Sequence, residues 1–189
     1  MVHAQESFIE EMMNGLRRND DATGIKRRII ENRMEEFRII DYDESMLDEM
    51  MQLFYDTVHT VNARDYRQDQ LNGWAPENSD KRFWQERLKK NVCKVAFIKD
   101  KMVGFTELVD DGHVDTLYVH KDFQRQKIAA NLIEEILHIA EERNYRVLTT
   151  EASITAKSFF EAYGFRVTRI KKKLYNGKDF TNYKMTKEL

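Results

Sequence analysis

One cysteine and one proline occur in 189 residues. A lone cysteine closes no internal disulfide, and Cys93 lies in an apolar, strand-like run, so its thiol reads as a small core hydrophobe in a reducing compartment. No run approaches the roughly 18 apolar residues of a membrane span, and the N-terminus lacks the apolar block of a signal peptide. The expectation is a cytoplasmic protein that engages no membrane. Neither sign of charge dominates: 34% of residues are charged, yet the formal net charge is −2. A surface of mixed sign offers no broad basic field, which argues against nucleic acid as a partner. The histidines are scattered and the cysteine is single, so no metal-ligand framework is expected. Internal repeats and low-complexity tracts are absent.

What is present suffices for one well-buried core. We expect a single domain over residues 36–189, preceded by a helical extension over residues 1–35. In that extension Phe8, Ile9, Met12, Met13 and Leu16 recur at helical spacing, and Asn19 to Gly24 interrupt the pattern. A second helical pattern sets Ile25, Ile29 and Ile30 against Lys26, Arg27, Arg28 and Arg33, a basic run that reads as a solvated helix face. The extension could pack on the domain or on a partner subunit in a homodimer.

The domain opens with a strand-like run at Phe37 to Ile40. Ser45, with Asp48 three residues on, reads as the start of a helix with Leu47, Met50, Met51, Phe54 and Val58 inward. Ala63 to Asp80 reads as a short helix inside a long connection, and Lys81 to Lys90 as a further helix. Three strands follow, Val92 to Ile98, Met102 to Val109 and His113 to Val119, joined by turns short enough for an antiparallel meander. Another strand, Arg146 to Thr150, is reached through a helix and should lie parallel to the strand before it. A helix from Thr155 to Tyr163 stops at Gly164, and Asn176-Gly177 marks a closing hairpin.

Leu117 to Leu137, reading LYVHKDFQRQKIAANLIEEIL, is the stretch that carries chemistry. It passes from an apolar strand through a charged turn into an amphipathic helix with Ile128, Leu132, Ile133, Ile136, Leu137 and Ala140 along one stripe. The start of such a helix exposes unpaired N–H groups at the positive end of the helix dipole, which makes an anion site.

With this order of elements and the sequence LYVHKDFQRQKIAANL, the chain resembles the GNAT superfamily of acyl-CoA-dependent N-acetyltransferases over roughly residues 36–187. The stretches FYDTVHTVNARDYRQDQLNGWAP (Phe54 to Pro76), EASITAKSFFEAYGF (Glu151 to Phe165) and NYKM (Asn182 to Met185) look like its bacterial YafP-like branch. The resemblance implies an α+β fold with a mixed central sheet of about seven strands, splayed between the fourth and fifth, and helices on both faces. It implies acetyl-CoA as co-substrate, without a metal, and its pyrophosphate as the anion. The family's pyrophosphate motif falls on Gln124, Arg125, Gln126, Lys127, Ile128 and Ala129, followed by Ala130, with Lys127 where the family carries glycine. Backbone groups of Leu117, Tyr118 and Val119 are implied to bind the pantetheine arm like an added strand, one of them polarising the thioester carbonyl. Further coenzyme contacts fall on Ser153, Phe159 and Phe160. Ser153 stands where relatives often carry asparagine, and Phe160 where many carry a tyrosine that protonates the departing thiolate.

Acetyl transfer requires a neutral amine, and an alkylamine with a pKa of about 10.4 is mostly protonated at neutral pH, so a base must act. Glu151, at the end of the fifth strand, is the leading candidate base, with Glu107, Asp115 and His59 as others. His59, Asn62, Tyr66 and Trp74 could line the pocket for the acceptor, a small-molecule or peptide amine. No nucleophile has an evident base beside it, so direct attack by the amine in a ternary complex is preferred over an acetyl-enzyme. Lys127 and Phe160 prompt the alternative, a catalytically weak or inactive GNAT-fold module that binds acyl-CoA.

Overall fold

The computed structural model describes residues 37–189. The two helices expected over residues 1–35 lie outside the described residues.

The first strand, β1 (Phe37–Asp41), is followed by a 3-10 turn (Glu44–Met46) and helix α1 (Leu47–Thr60). Capping differs from the sequence expectation. Asp43 rather than Ser45 caps the turn, accepting the Ser45 N–H at 2.9 Å. In α1, Leu47, Met50, Leu53, Phe54 and Val58 fall on one stripe and are buried. Two helices follow: α2 (Gln68–Trp74) and α3 (Lys81–Lys90). Asp80 caps α3 by accepting the Arg82 and Phe83 N–H groups, and Trp84 and Leu88 are its buried residues.

Strands β2 (Val92–Ile98), β3 (Lys101–Val109) and β4 (His113–Val119) form the expected antiparallel meander, with β1 paired to β2. Helix α4 (Ile128–Glu142) crosses to β5 (Val147–Ala152), which is parallel to β4. Helix α5 (Lys157–Ala162) then leads to the hairpin β6 (Arg166–Tyr175) and β7 (Lys178–Glu188), turned by Asn176 and Gly177, both at positive φ. The seven-stranded sheet has the order β1-β2-β3-β4-β5-β7-β6. The second strand of the hairpin therefore reaches β5, and the first forms the edge.

Helices cover both faces. Residues of α1, α2 and α3 pack with Phe97, Phe105 and Phe180 on one side. On the other, α4 lays Ile133, Ile136 and Ala140 against Val114, Leu148 and Met185, and Ile128 and Leu132 against Ala96 and Val103. Helix α4 comes close because β3 carries Gly104 there: a Cβ at that position would meet the Tyr118 carbonyl oxygen at 2.8 Å and Ile128 Cγ2 at 3.0 Å. Among the described residues no helix is long and apolar enough to cross a membrane.

Candidate active site

Strands β4 and β5 touch only briefly. They pair at His113↔Thr149 and Val114↔Thr150, after which β5 continues along β7 as far as Ala152↔Tyr183 and β4 continues along β3 as far as Val119↔Gly104. One extra residue, Asp115, lies on β4 between the pairs Leu108↔Val114 and Glu107↔Thr116, a bulge that bends the strand where the separation begins. Leu117, Tyr118 and Val119 consequently have a strand partner on the β3 side only. The phase of that ladder is fixed by the His120 N–H, which donates to the Val103 carbonyl at 2.9 Å. Antiparallel strands alternate in direction, so the N–H groups of Leu117 and Val119 turn away from β3, into the gap. The Val119 carbonyl on that side accepts from Thr57 Oγ1 at 3.0 Å and Gln124 Nε2 at 2.6 Å.

The loop beyond β4 is shaped by backbone hand. After a 3-10 turn (Lys121–Phe123), Gln124 is extended and Arg125 and Lys127 both have φ of 61°. Alternation of hand before a right-handed helix converges successive N–H groups on one concavity, and α4 adds its own unpaired N–H groups there. The Gln124 amide is occupied with the carbonyls of Val119 and His120, so it ties the loop to the strand end. Lys127 takes the left-handed conformation, not the right-handed helical one, a backbone conformation that glycine adopts at less cost.

Gap and loop open into one cleft of about 1190 Å³, large enough for a coenzyme arm and an acceptor together. Residues of the implied coenzyme site, Leu117 to Val119, Gln124, Arg125, Lys127 to Ala130, Ser153, Phe159 and Phe160, all line it; Gln126 does not. Ser153 Oγ accepts the Ala156 N–H at 3.1 Å. Phe160 is buried, 5.2 Å from the Phe165 ring, and offers no proton.

Of the expected acceptor residues, Asn62, Tyr66 and Trp74 line the cleft and His59 does not. His59 Nε2 meets the Ala75 carbonyl at 2.9 Å and its Nδ1 meets Gln68 Nε2 at 3.3 Å, contacts that join α1 to α2. Tyr66 spans the cleft, its hydroxyl oxygen accepting the Ile154 N–H at 2.8 Å, and burial raises the phenol pKa. The Tyr66, Trp74 and Phe180 rings stand within 6.0 Å of one another, an aromatic wall.

The carboxylates differ sharply in setting. Glu151 lines the cleft but pairs with Lys171, and Lys173 lies at 4.0 Å; the Lys171 ammonium holds its carboxyl below the usual range. Glu107 is 0% exposed, bonded to Asn91 at 2.6 Å and paired with Arg87 at 2.8 Å, and burial pushes its pKa up. Asp115 pairs with the same Arg87 at 3.3 Å. Beside it stands His113, which the sequence reading took only as the start of a strand. It lines the cleft, and its Nδ1 lies 2.8 Å from Thr149 Oγ1. The available signal was His-Val-Asp within a strand, a spacing that puts His113 and Asp115 on one face. Cys93 is buried, with its thiol pKa pushed far up by desolvation.

A sheet that parts between two parallel strands, with N–H groups turned into the gap and a helix start at its mouth, is the arrangement that the resemblance to GNAT acyltransferases implies. Comparison with known proteins agrees: residues 62–187 match the family described as acetyltransferase (GNAT) domain, and the chain belongs to that family. It is 30% identical over 152 residues to the N-acetyltransferase YafP of Escherichia coli (strain K12), covering 80% of this chain and 96% of that protein. A solved GCN5-related N-acetyltransferase from Rhodopseudomonas palustris superposes with a TM-score of 0.78 at 28% identity, covering 80% of this chain and 95% of that one. The PaiA N-acetyltransferase of Thermoplasma acidophilum, solved in complex with coenzyme A, has a TM-score of 0.68 at 17% identity, covering 81% and 99%. The protein is a GNAT N-acetyltransferase.

Proposed function

We propose that this enzyme transfers the acetyl group of acetyl-CoA to a primary amine, on a small molecule or a peptide, by direct attack within a ternary complex. The observation that carries the reading is the two-pair contact between β4 and β5, beyond which the N–H groups of Leu117 and Val119 face open space. A pantetheine arm in the gap completes the ladder on β4, and one of these N–H groups polarises the thioester carbonyl as negative charge develops on its oxygen. The pyrophosphate takes the concavity of Gln124 to Ala130. The acceptor enters against Tyr66, Trp74 and Asn62. Glu151 stays ionised because its lysine partners hold it so, and it lines the acceptor side of the cleft as part of that ion-paired cluster. Burial makes Cys93 a poor nucleophile, which favours direct attack over an acetyl-enzyme.

Phe160 favours a second reading: a coenzyme-binding module of weak activity, since no hydroxyl stands at that position to protonate the thiolate. Calorimetry with acetyl-CoA, paired with thiol release across an amine panel, separates the two. The first reading expects tight binding and amine-dependent release; tight binding without release from any amine supports the second. A stable acetyl adduct on protein incubated with acetyl-CoA alone, abolished by Cys93→Ala, contradicts direct attack.

A further inference from the structure

We infer that His113, steadied by Thr149 and Asp115, is the catalytic base that takes the proton from the acceptor amine. The inference rests on the direct-attack reading above. Its first support is position. The gap between β4 and β5 closes at Val114↔Thr150, and the neighbouring pair is His113↔Thr149. An arm that enters at the start of α4 and runs down the gap brings its thioester towards this closed end, and His113 lines the cleft there.

The second support is what surrounds the imidazole. Thr149, from β5, engages Nδ1 at 2.8 Å. In the tautomer whose Nδ1–H donates to that hydroxyl, Nε2 keeps its lone pair. Asp115, from the same strand, lies 3.8 Å from Nε2, beyond a direct hydrogen bond but close enough to stabilise an imidazolium once formed. Of the other charged groups around this face, Arg87 from α3 is committed to Glu107 and Asp115. Lys171 and Lys173 from β6 are committed to Glu151. These groups balance as three carboxylates and three cations, each cation already paired, and the carboxylate that faces Nε2 is Asp115.

The third support is comparison with the neighbouring carboxylates. Glu107 is sealed from the cleft, Glu151 is paired to lysine, and Asp115 is held by Arg87. Among these groups His113 is the one whose second ring nitrogen has no cation paired to it and is free to take a proton in the tautomer above.

The step balances without another reactant. The amine nitrogen bonds to the thioester carbonyl carbon, and the carbon–sulfur bond breaks with its electron pair on sulfur. One proton of the bound ammonium passes to His113 Nε2, directly or through one water, and from there to solvent before attack, and the second proton, released from nitrogen as the carbon–nitrogen bond forms, passes through water to the thiolate.

The test uses the full chain, acetyl-CoA and the best amine of the panel. His113→Ala is expected to lower kcat about a hundredfold while leaving acetyl-CoA affinity within twofold. It should remove the acid limb of the kcat/KM profile and regain activity with added imidazole in proportion to the neutral imidazole present. Asp115→Asn should lower kcat by a smaller factor than His113→Ala and leave acetyl-CoA affinity within twofold, because the imidazolium then forms without a carboxylate beside it. The assignment is overturned if His113→Ala retains the acid limb, if imidazole restores nothing, or if coenzyme affinity falls in step with kcat. A wild-type protein that binds acetyl-CoA but acetylates no amine would instead overturn the direct-attack reading on which the assignment stands.

Discussion

Lys127 combines two effects in one residue. Its φ of 61° is a conformation that costs a residue with a side chain about 1 kcal/mol or more, and it brings a positive charge to a loop that lines the cleft. Replacing it separates the two. Lys127→Gly should raise stability by about 0.5 kcal/mol, the relief of the left-handed backbone set against the greater freedom of unfolded glycine, and should weaken acetyl-CoA binding only modestly. Lys127→Glu keeps the strain and reverses the charge, so it should weaken binding more. Urea melts and calorimetry on both variants check this; equal coenzyme affinity would show that the side chain points away from the phosphates. At this scale the sequence was readable where the residue type alone carried the meaning, as with the missing hydroxyl of Phe160. It was unreadable where meaning depended on a partner. Nothing in the letters tells that the Gln124 amide is committed to two carbonyls, or that Glu151 meets Lys171 across twenty positions of chain.

Among the elements of the described residues, strands and helices followed their periodicity, and the Asn176-Gly177 turn fell where its dipeptide marks it. The parallel placement of β5 beside β4 was legible from the helical crossover between them. The neighbour of β5 on its other side, β7, was not, because both strands of the closing hairpin are long enough and only packing chooses between them. The Asp115 bulge was likewise hidden, since a single unpaired residue leaves no mark in an alternating run. The contact that seats α4 on the sheet gives a test at this scale. Gly104→Ala puts a methyl 2.8 Å from the Tyr118 carbonyl oxygen and 3.0 Å from Ile128, so the helix start must move. We expect a loss of about 1–3 kcal/mol in stability and weaker acetyl-CoA binding, read by denaturation and calorimetry. An unchanged affinity would mean that the loop is positioned independently of β3.

For the whole molecule, β4 with the strands before it and β5 with the closing hairpin are two wings of one sheet, joined strand to strand only at the short β4–β5 contact and bridged besides by α4 and Tyr66. The Glu151–Lys171 pair lies within the second wing and makes stability depend on pH. The carboxyl is held below its unfolded value of about 4.3, so the pair stabilises above that value and its contribution disappears as pH falls through the folded value. Both side chains are partly exposed, which keeps the effect to about 0.5 kcal/mol or less. Lys171→Met should remove that part of the difference between urea midpoints at neutral and acid pH. The central claim is that the coenzyme lies in the gap as an added strand on β4, and amide hydrogen exchange with and without acetyl-CoA tests it most directly. The amides of Leu117 and Val119 should become protected on binding, while that of Tyr118, which faces β3, should change little; saturating acetyl-CoA that leaves Leu117 and Val119 exchanging as before would contradict the account.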